Sequence, residues 1–249
     1  MPKPDQKPQG ERIAKYVSRA GGPSRRETER LIEAGKVFVN NVKVKTPVTF
    51  VTEEDLINVD GHVIEGKEPA RLWSFHKPIG CITSEKDPDG RTTIYDLLPA
   101  GTPRLLTVGR LDYNSEGLLL MTNDGALKRA LELPKNEIGR HYRVRVFGRV
   151  TQNDLDHLAE GVVIDRVHYA PAIAEIEKIQ GSNAWVRVTI TEGKNREIRK
   201  MMSYLGFEVN RLIRTDYGPF GLKQQKVGTL QAIPQFYLKD SLEELGISL

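Results

Sequence analysis

A single cysteine, Cys81, in 249 residues leaves no partner for an internal disulfide, so packing alone must hold the fold. The five histidines, His62, His76, His141, His157 and His168, show no HxxxH spacing, and no CxxC accompanies them. A structural metal is therefore not expected. Long apolar runs are missing as well; the longest extend for only a few residues, against the roughly 20 needed to cross a bilayer. The first ten residues, MPKPDQKPQG, carry lysine and proline but no apolar stretch of the kind that directs export. These absences exclude a disulfide scaffold and a helical membrane protein. They set the expectation of a soluble, metal-free, cytoplasmic chain, monomeric by default because no apolar heptad pattern is present. Apolar residues make up 39%, enough to build a real core in one large domain or two smaller ones.

The net charge of +4 is unevenly spread. Residues 1–50 hold eleven Lys/Arg against five Asp/Glu, while the other 199 residues hold 26 against 28. A basic module joined to a nearly neutral body points to a polyanionic partner, because each phosphate neutralised releases condensed counterions.

Within that module, Ile13, Val17 and Ala20 recur at helical spacing from Glu11 to Ala20, and Gly21-Gly22 closes the helix. Ser24 followed by Glu27 predicts a capping box opening a second helix, which turns Leu31 and Ile32 inward and stops at Gly35. Val37, Val39, Val42 and Val44 around Asn40-Asn41 predict a short hairpin; Ile57 and Val59 lead to a second turn at Asp60-Gly61. Arg19, Arg25, Arg26 and Arg30 fall off the apolar stripe, in position to follow a phosphate backbone. The polar stretch EGKEPA, residues 65–70, predicts a linker. Residues 1–10 are expected to form a disordered basic tail, residues 11–64 the module, and residues 71–249 a second domain.

In that second domain strands are predicted at Leu72–Phe75, Arg104–Val108, Gly117–Met121, His141–Phe147, Ala172–Ile179, Ala184–Thr191 and Val209–Thr215. Helices are predicted at Gly125–Leu131, Thr151–Glu160 and Asn195–Leu205, with a peripheral helix in the tail from Asp240 to Leu249. Strands interrupted only occasionally by helices predict an α+β domain on a mixed, largely antiparallel sheet.

The stretch VGRLDYNSEGLLLMTNDG, Val108 to Gly125, sets Asp112 between a basic residue and the apolar run Leu118-Leu119-Leu120. Holding a carboxylate beside a core strand costs several kcal/mol unless it is paired, which makes Asp112 the candidate catalytic group. HKPIGCITS places Lys77 at a strand end. In RHYRVRVFG, Tyr142, Val144 and Val146 share one face and His141, Arg143 and Arg145 the other. EGKNREIRKM, which holds Lys194, turns from a strand into a helix with Ile198, Met201, Met202 and Leu205 inward and Arg199 outside that stripe.

SRAGGPSRRETERLIEAGKVFVNN resembles the small alpha-L RNA-binding module shared with a small-subunit ribosomal protein. With Lys77–Gly80, Gly109–Leu120, Tyr142–Val144 and Glu192–Met202 following in order, the chain resembles the RsuA/RluB family of ribosomal RNA pseudouridine synthases along nearly its whole length. The wording NREIRKM is closer to the branch acting on large-subunit ribosomal RNA.

This resemblance implies an alpha-L module followed by a synthase domain with a central cleft. It also implies site-specific conversion of uridine to pseudouridine in ribosomal RNA or a pre-ribosomal particle, without a cofactor. Asp112 would begin the reaction as nucleophile toward the sugar or as base at its 2′ position, and Tyr142 would stack on the uracil and help remove the carbon 5 proton. Arg199 would pair with Asp112 and keep it ionised. The target uridine must be extruded, so basic walls are expected, with Arg110, Lys77 and Lys194 among them. Ser115, His141, Glu197 and Lys200 depart from the family's usual choices and leave the RNA target open. Two rivals remain: a non-catalytic RNA-binding ribosome assembly factor, and a hydrolase releasing base or sugar. Glu116, four residues from Asp112, allows a two-carboxylate glycosidase, although bracing the turn into the strand is the plainer role.

Overall fold

The computed structural model describes residues 10–66 and 68–248. The expected basic tail, apart from Gly10, and Lys67 of the expected linker lie outside them. The chain forms two compact units, one taking in the described residues up to Ala70 together with Asn123–Gly125, the other Arg71–Thr122 and the residues from Ala126 onward.

The first unit runs β1 (Glu11–Arg12), α1 (Ile13–Arg19), α2 (Arg25–Glu33), β2 (Val37–Val39), β3 (Val42–Lys43), β4 (Phe50–Val51), β5 (Ile57–Val59) and β6 (His62–Ile64). The first helix starts two residues later than its apolar spacing suggested, because Glu11 and Arg12 are extended and pair with Val51 and Phe50. Ser24 caps α2 by accepting from the Glu27 amide at 3.2 Å. The reciprocal half of the box is absent: the Glu27 carboxylate instead takes Arg30 at 3.2 Å. Asn40 and Asn41 both have positive φ, 49° and 64°, the left-handed pair that a two-residue hairpin turn needs. Ile13, Val17, Ile32, Val37, Ile57 and Val59 close a small core of their own.

The second unit runs β7 (Leu72–Lys77), β8 (Leu106–Val108), β9 (Glu116–Thr122), α3 (Gly125–Glu132), β10 (Arg140–Phe147), α4 (Gln152–Asp156), β11 (Val162–Ile164), β12 (Val167–Tyr169), β13 (Ile173–Gln180), β14 (Asn183–Ile190), α5 (Glu197–Tyr204), β15 (Glu208–Tyr217), β16 (Phe220–Gly221), β17 (Leu230–Ala232) and α6 (Gln235–Glu244). Its sheet has the order β13-β14-β10-β15-β9-β7-β17, with β8 added on β9 and β16 on β15. Every pairing in it is antiparallel except β9 with β15, which makes the α+β domain mixed and largely antiparallel.

All seven residues of β9 are buried, as the uninterrupted Leu118-Leu119-Leu120-Met121 run demands of a strand covered on both faces. Gly117 stands in β9 with φ at +107°, and a Cβ there would lie 2.2 Å from the Arg214 carbonyl oxygen. Only glycine allows β9 and β15 to approach so closely. Helix α4 opens with a complete capping box between Thr151 and Asp154, then tightens into a 3-10 turn at His157–Glu160. The hairpin β11–β12 and the strands β16 and β17 had no clear signal, since strands of two or three residues are too short to show a period. The peripheral helix expected at Asp240–Leu249 is present as α6, but it begins at Gln235 behind Pro234 and ends at Glu244.

Candidate active site

Asp112 lies on the loop between β8 and β9, and the conformation of this loop is fixed through its backbone. Five consecutive carbonyls accept hydrogen bonds from donors. Thr83 Oγ1 donates to Leu111 at 2.9 Å, Lys77 Nζ to Asp112 at 3.1 Å, the Gly80 amide to Tyr113 at 2.9 Å, Arg199 Nη2 to Asn114 at 2.8 Å, and Lys77 Nζ to Ser115 at 2.9 Å. The Ser115 amide also closes the turn onto the Asp112 carbonyl at 3.0 Å. A loop so held presents its one carboxylate with little freedom, the preorganisation that a reacting group requires.

Asp112 lines a cavity of about 550 Å³, within the range of small-molecule and nucleotide sites. Tyr142 on β10, Leu212 and Arg214 on β15, Arg140, and Arg196 with Glu197 at the start of α5 share that lining. In the register of the sheet Tyr142 stands opposite Arg214, so the aromatic ring and the guanidinium rise from neighbouring positions. Tyr142 is 8% exposed, enough to present a ring face to the cavity while its strand stays in the core.

Among the expected basic groups, Arg110 and Lys194 line the cavity; Lys194 is ion-paired with Glu192 and lies over the Tyr169 ring at 5.6 Å. Lys77 is not a wall residue. It is fully buried, and its ammonium is spent on the carbonyls of Pro78, Asp112 and Ser115. Burial lowers its pKa, opposed by Cys81, Asp112 and Glu116. A lysine at the end of β7 passes beneath the Asp112 loop, where carbonyls rather than phosphates meet it.

The expected pairing of Arg199 with Asp112 also needs correction. Among the described residues no ion pair within 4 Å joins them; the guanidinium donates instead to Asn114 and, at 3.0 Å, to Val209. Burial and the neighbouring Arg196 pull its pKa down, with Asp112 opposing them, so the two charges do act on each other, at longer range. Glu116 is buried and bound by Arg211 through Nε and, at 3.2 Å, Nη2. It does not line the cavity, which leaves it the bracing role and takes Glu116 out of the two-carboxylate reading.

Sequence reading missed Arg214, although the pattern Leu212-x-Arg214 put it on the buried face of a predicted strand. It also passed over the carboxyl pair of Glu192 and Glu197. Glu197 is 3% exposed and its pKa is pushed up to about 7, by burial first and then by Glu192, while the Lys194 amide donates to it at 2.8 Å.

In the first unit, Arg19 and Arg25 line a shared surface hollow with Arg12 and Lys15, and Arg19 is held by Glu11 at 3.0 Å. Arg26 and Arg30 are exposed on α2, with Arg30 bound to Glu27.

Comparison with known proteins covers both units. The family described as RNA pseudouridylate synthase matches residues 71–204, and the S4 domain family matches residues 11–57. An uncharacterized RNA pseudouridine synthase of Rickettsia felis is 42% identical over 226 residues, 90% of this chain and 96% of that protein. The ribosomal large subunit pseudouridine synthase B of Salmonella typhimurium is 40% identical over 244 residues, 94% of this chain and 84% of that protein. A crystal structure of a pseudouridylate synthase superposes with a TM-score of 0.65 at 26% identity, covering 90% of this chain and 96% of the other.

Proposed function

The chain belongs to the RNA pseudouridylate synthase family, and from that premise we propose that it isomerises a specific uridine of large-subunit ribosomal RNA. The observation that carries this reading is the position of Asp112, on a loop whose five carbonyls are all engaged, at the edge of a cavity that also holds Tyr142. Uridine and pseudouridine are isomers, so no electrons or groups enter or leave overall, and none of the steps below calls on a cofactor.

Asp112 opens the reaction, as nucleophile at the sugar or as base at its 2′ position, and Tyr142 stacks on the base and assists loss of the carbon 5 proton. Arg199 acts as a positioning residue by holding Asn114. Residues 11–64 bring Arg19, Arg25, Arg26 and Arg30 to the RNA, residues 65–70 link, and residues 71–249 catalyse, with Arg110 and Lys194 at the cleft. A monomer working on ribosomal RNA in the cytoplasm, on free RNA or an assembling particle, follows from this reading.

Tritium release from ribosomal RNA labelled at carbon 5 of uridine tests it, because isomerisation frees that label while the strand stays intact. Asp112→Asn is expected to abolish release and retain RNA affinity. Liberated free base would make the protein a hydrolase; no release with RNA affinity intact would make it an assembly factor.

A further inference from the structure

Arg214 carries a donor that no described residue uses. The residue is 3% exposed and lines the Asp112 cavity. Its Nε donates to the Leu118 carbonyl at 2.7 Å, and its guanidinium lies 5.3 Å from the centre of the Tyr217 ring. Its Nη2 is buried without a hydrogen-bond partner, and among the described residues no carboxylate lies within 4 Å of it. Arg140, which also lies against the Tyr217 ring at 4.9 Å, shows the contrast: it donates to Ile138, Thr191, Glu192 and the Tyr217 hydroxyl. A buried guanidinium without a matching carboxylate is costly to hold, and an acceptor entering the cavity that Arg214 lines would relieve that cost.

Reaction chemistry identifies that acceptor. On either route open to Asp112, the bond between C1′ and N1 breaks and its electron pair stays with the base, giving a uracil anion with charge on its two carbonyl oxygens. The base then turns and C5 bonds to C1′ with an electron pair from the ring, as the bond from Asp112 to C1′ breaks on the nucleophile route or the 2′ proton returns to C2′ from Asp112 on the base route; C5 then loses its proton and N1 gains one. A half-turn about the axis through N3 and C6 exchanges N1 with C5 and, by the same symmetry, O2 with O4. One fixed donor beside the stacking tyrosine therefore meets a carbonyl oxygen both before and after the turn.

Resting on the function proposed above, we infer that Arg214 is a catalytic residue whose guanidinium binds a uracil carbonyl, stabilises the departing base anion and holds the base while it rotates. Its register position opposite Tyr142 puts the donor beside a ring stacked there. Gly117, pressed against the Arg214 backbone, fixes the strand that carries it.

The test compares uridine with 5-fluorouridine, whose fluorine stabilises the base anion and lessens the need for a cationic donor. Single-turnover loss of the parent nucleoside, read by mass spectrometry of nuclease digests of large-subunit ribosomal RNA transcripts, reports bond cleavage for both. Arg214→Gln is expected to slow uridine cleavage about 100-fold with RNA affinity unchanged, and the deficit on 5-fluorouridine is expected to shrink to about tenfold. Arg214→Lys, which keeps the charge, should show the same ordering with smaller deficits, and it carries the comparison if the glutamine variant fails to fold. Equal deficits on the two substrates, or a loss explained by weakened RNA binding, overturn the inference while leaving the function standing. Absence of tritium release by the unaltered chain overturns both.

Discussion

Arg199 Nη2 donates to the Asn114 carbonyl at 2.8 Å, while the Asp112 carboxylate two residues earlier belongs to the lining of the cavity. The helix α5 and the loop that bears the candidate nucleophile are thus joined through backbone rather than through a side-chain ion pair. Lys77 does the same from the end of β7. One buried and one half-buried cation hold one loop in place, and neither takes up the Asp112 carboxylate in an ion pair within 4 Å.

Replacing Lys77 with methionine removes the donor to three carbonyls; Asp112 keeps the Ser115 amide and Pro78 the Cys81 thiol, so the Ser115 carbonyl is the one left without its donor. An orphaned buried acceptor costs about 1–3 kcal/mol, partly offset because a buried charge disappears. The expected net loss is about 1–2 kcal/mol of stability by urea denaturation, with turnover reduced more than RNA affinity because the Asp112 loop loosens. An unchanged denaturation midpoint would show that the loop does not depend on this lysine.

Tyr142→Phe keeps the ring and the strand and deletes one hydroxyl. RNA affinity should hold within about twofold, and tritium release should fall by roughly 10²–10⁴, the range of general acid–base contributions. Full activity in the variant would confine Tyr142 to stacking.

Glu197 supplies a pH dependence whose sign follows from its environment. Burial raises its folded pKa from 4.5 to about 7, so the folded state retains a proton that the unfolded chain releases. Its contribution to stability is complete below about 4.5 and fades as pH rises through about 7. Glu192, held low by Lys194 and the Ala170 amide, is the ionised partner facing it. Thermal melts of the unaltered chain should fall from pH 5 to pH 8, and those of Glu197→Gln, which mimics the protonated acid, should be flatter. Parallel curves would remove Glu197 from this role.

Charge on α2 is expected to contribute to the salt dependence of RNA binding. Neutralising Arg25 and Arg26 together, each to glutamine, should lower the slope of log affinity against log salt by about two if each meets one phosphate, and weaken binding to all RNA sequences alike. Melting temperature should barely move, since both side chains are exposed. A slope identical to that of the unaltered chain would take these two arginines off the RNA.

Sequence by itself determined whatever depends on neighbours along the chain. The left-handed Asn40-Asn41 turn, the Ser24 and Thr151 caps, the apolar run within β9 and the alternation of β10 were readable because turn chemistry, capping and side-chain period act over a few residues. Asp112 stood out for the same local reason, a carboxylate set against a core strand. Short strands such as β17 and the β11–β12 hairpin stayed hidden, since three residues hold too little pattern to recognise. Only the tertiary structure decided what each charged side chain reaches. Lys77 lies 35 residues from Asp112 in sequence, Arg199 lies 85 from Asn114, and the free donor of Arg214 is defined by what fails to surround it. Hydrogen-bond partners of long cationic side chains are set by which strands lie side by side, and the order of strands in this sheet departs from the order of the chain.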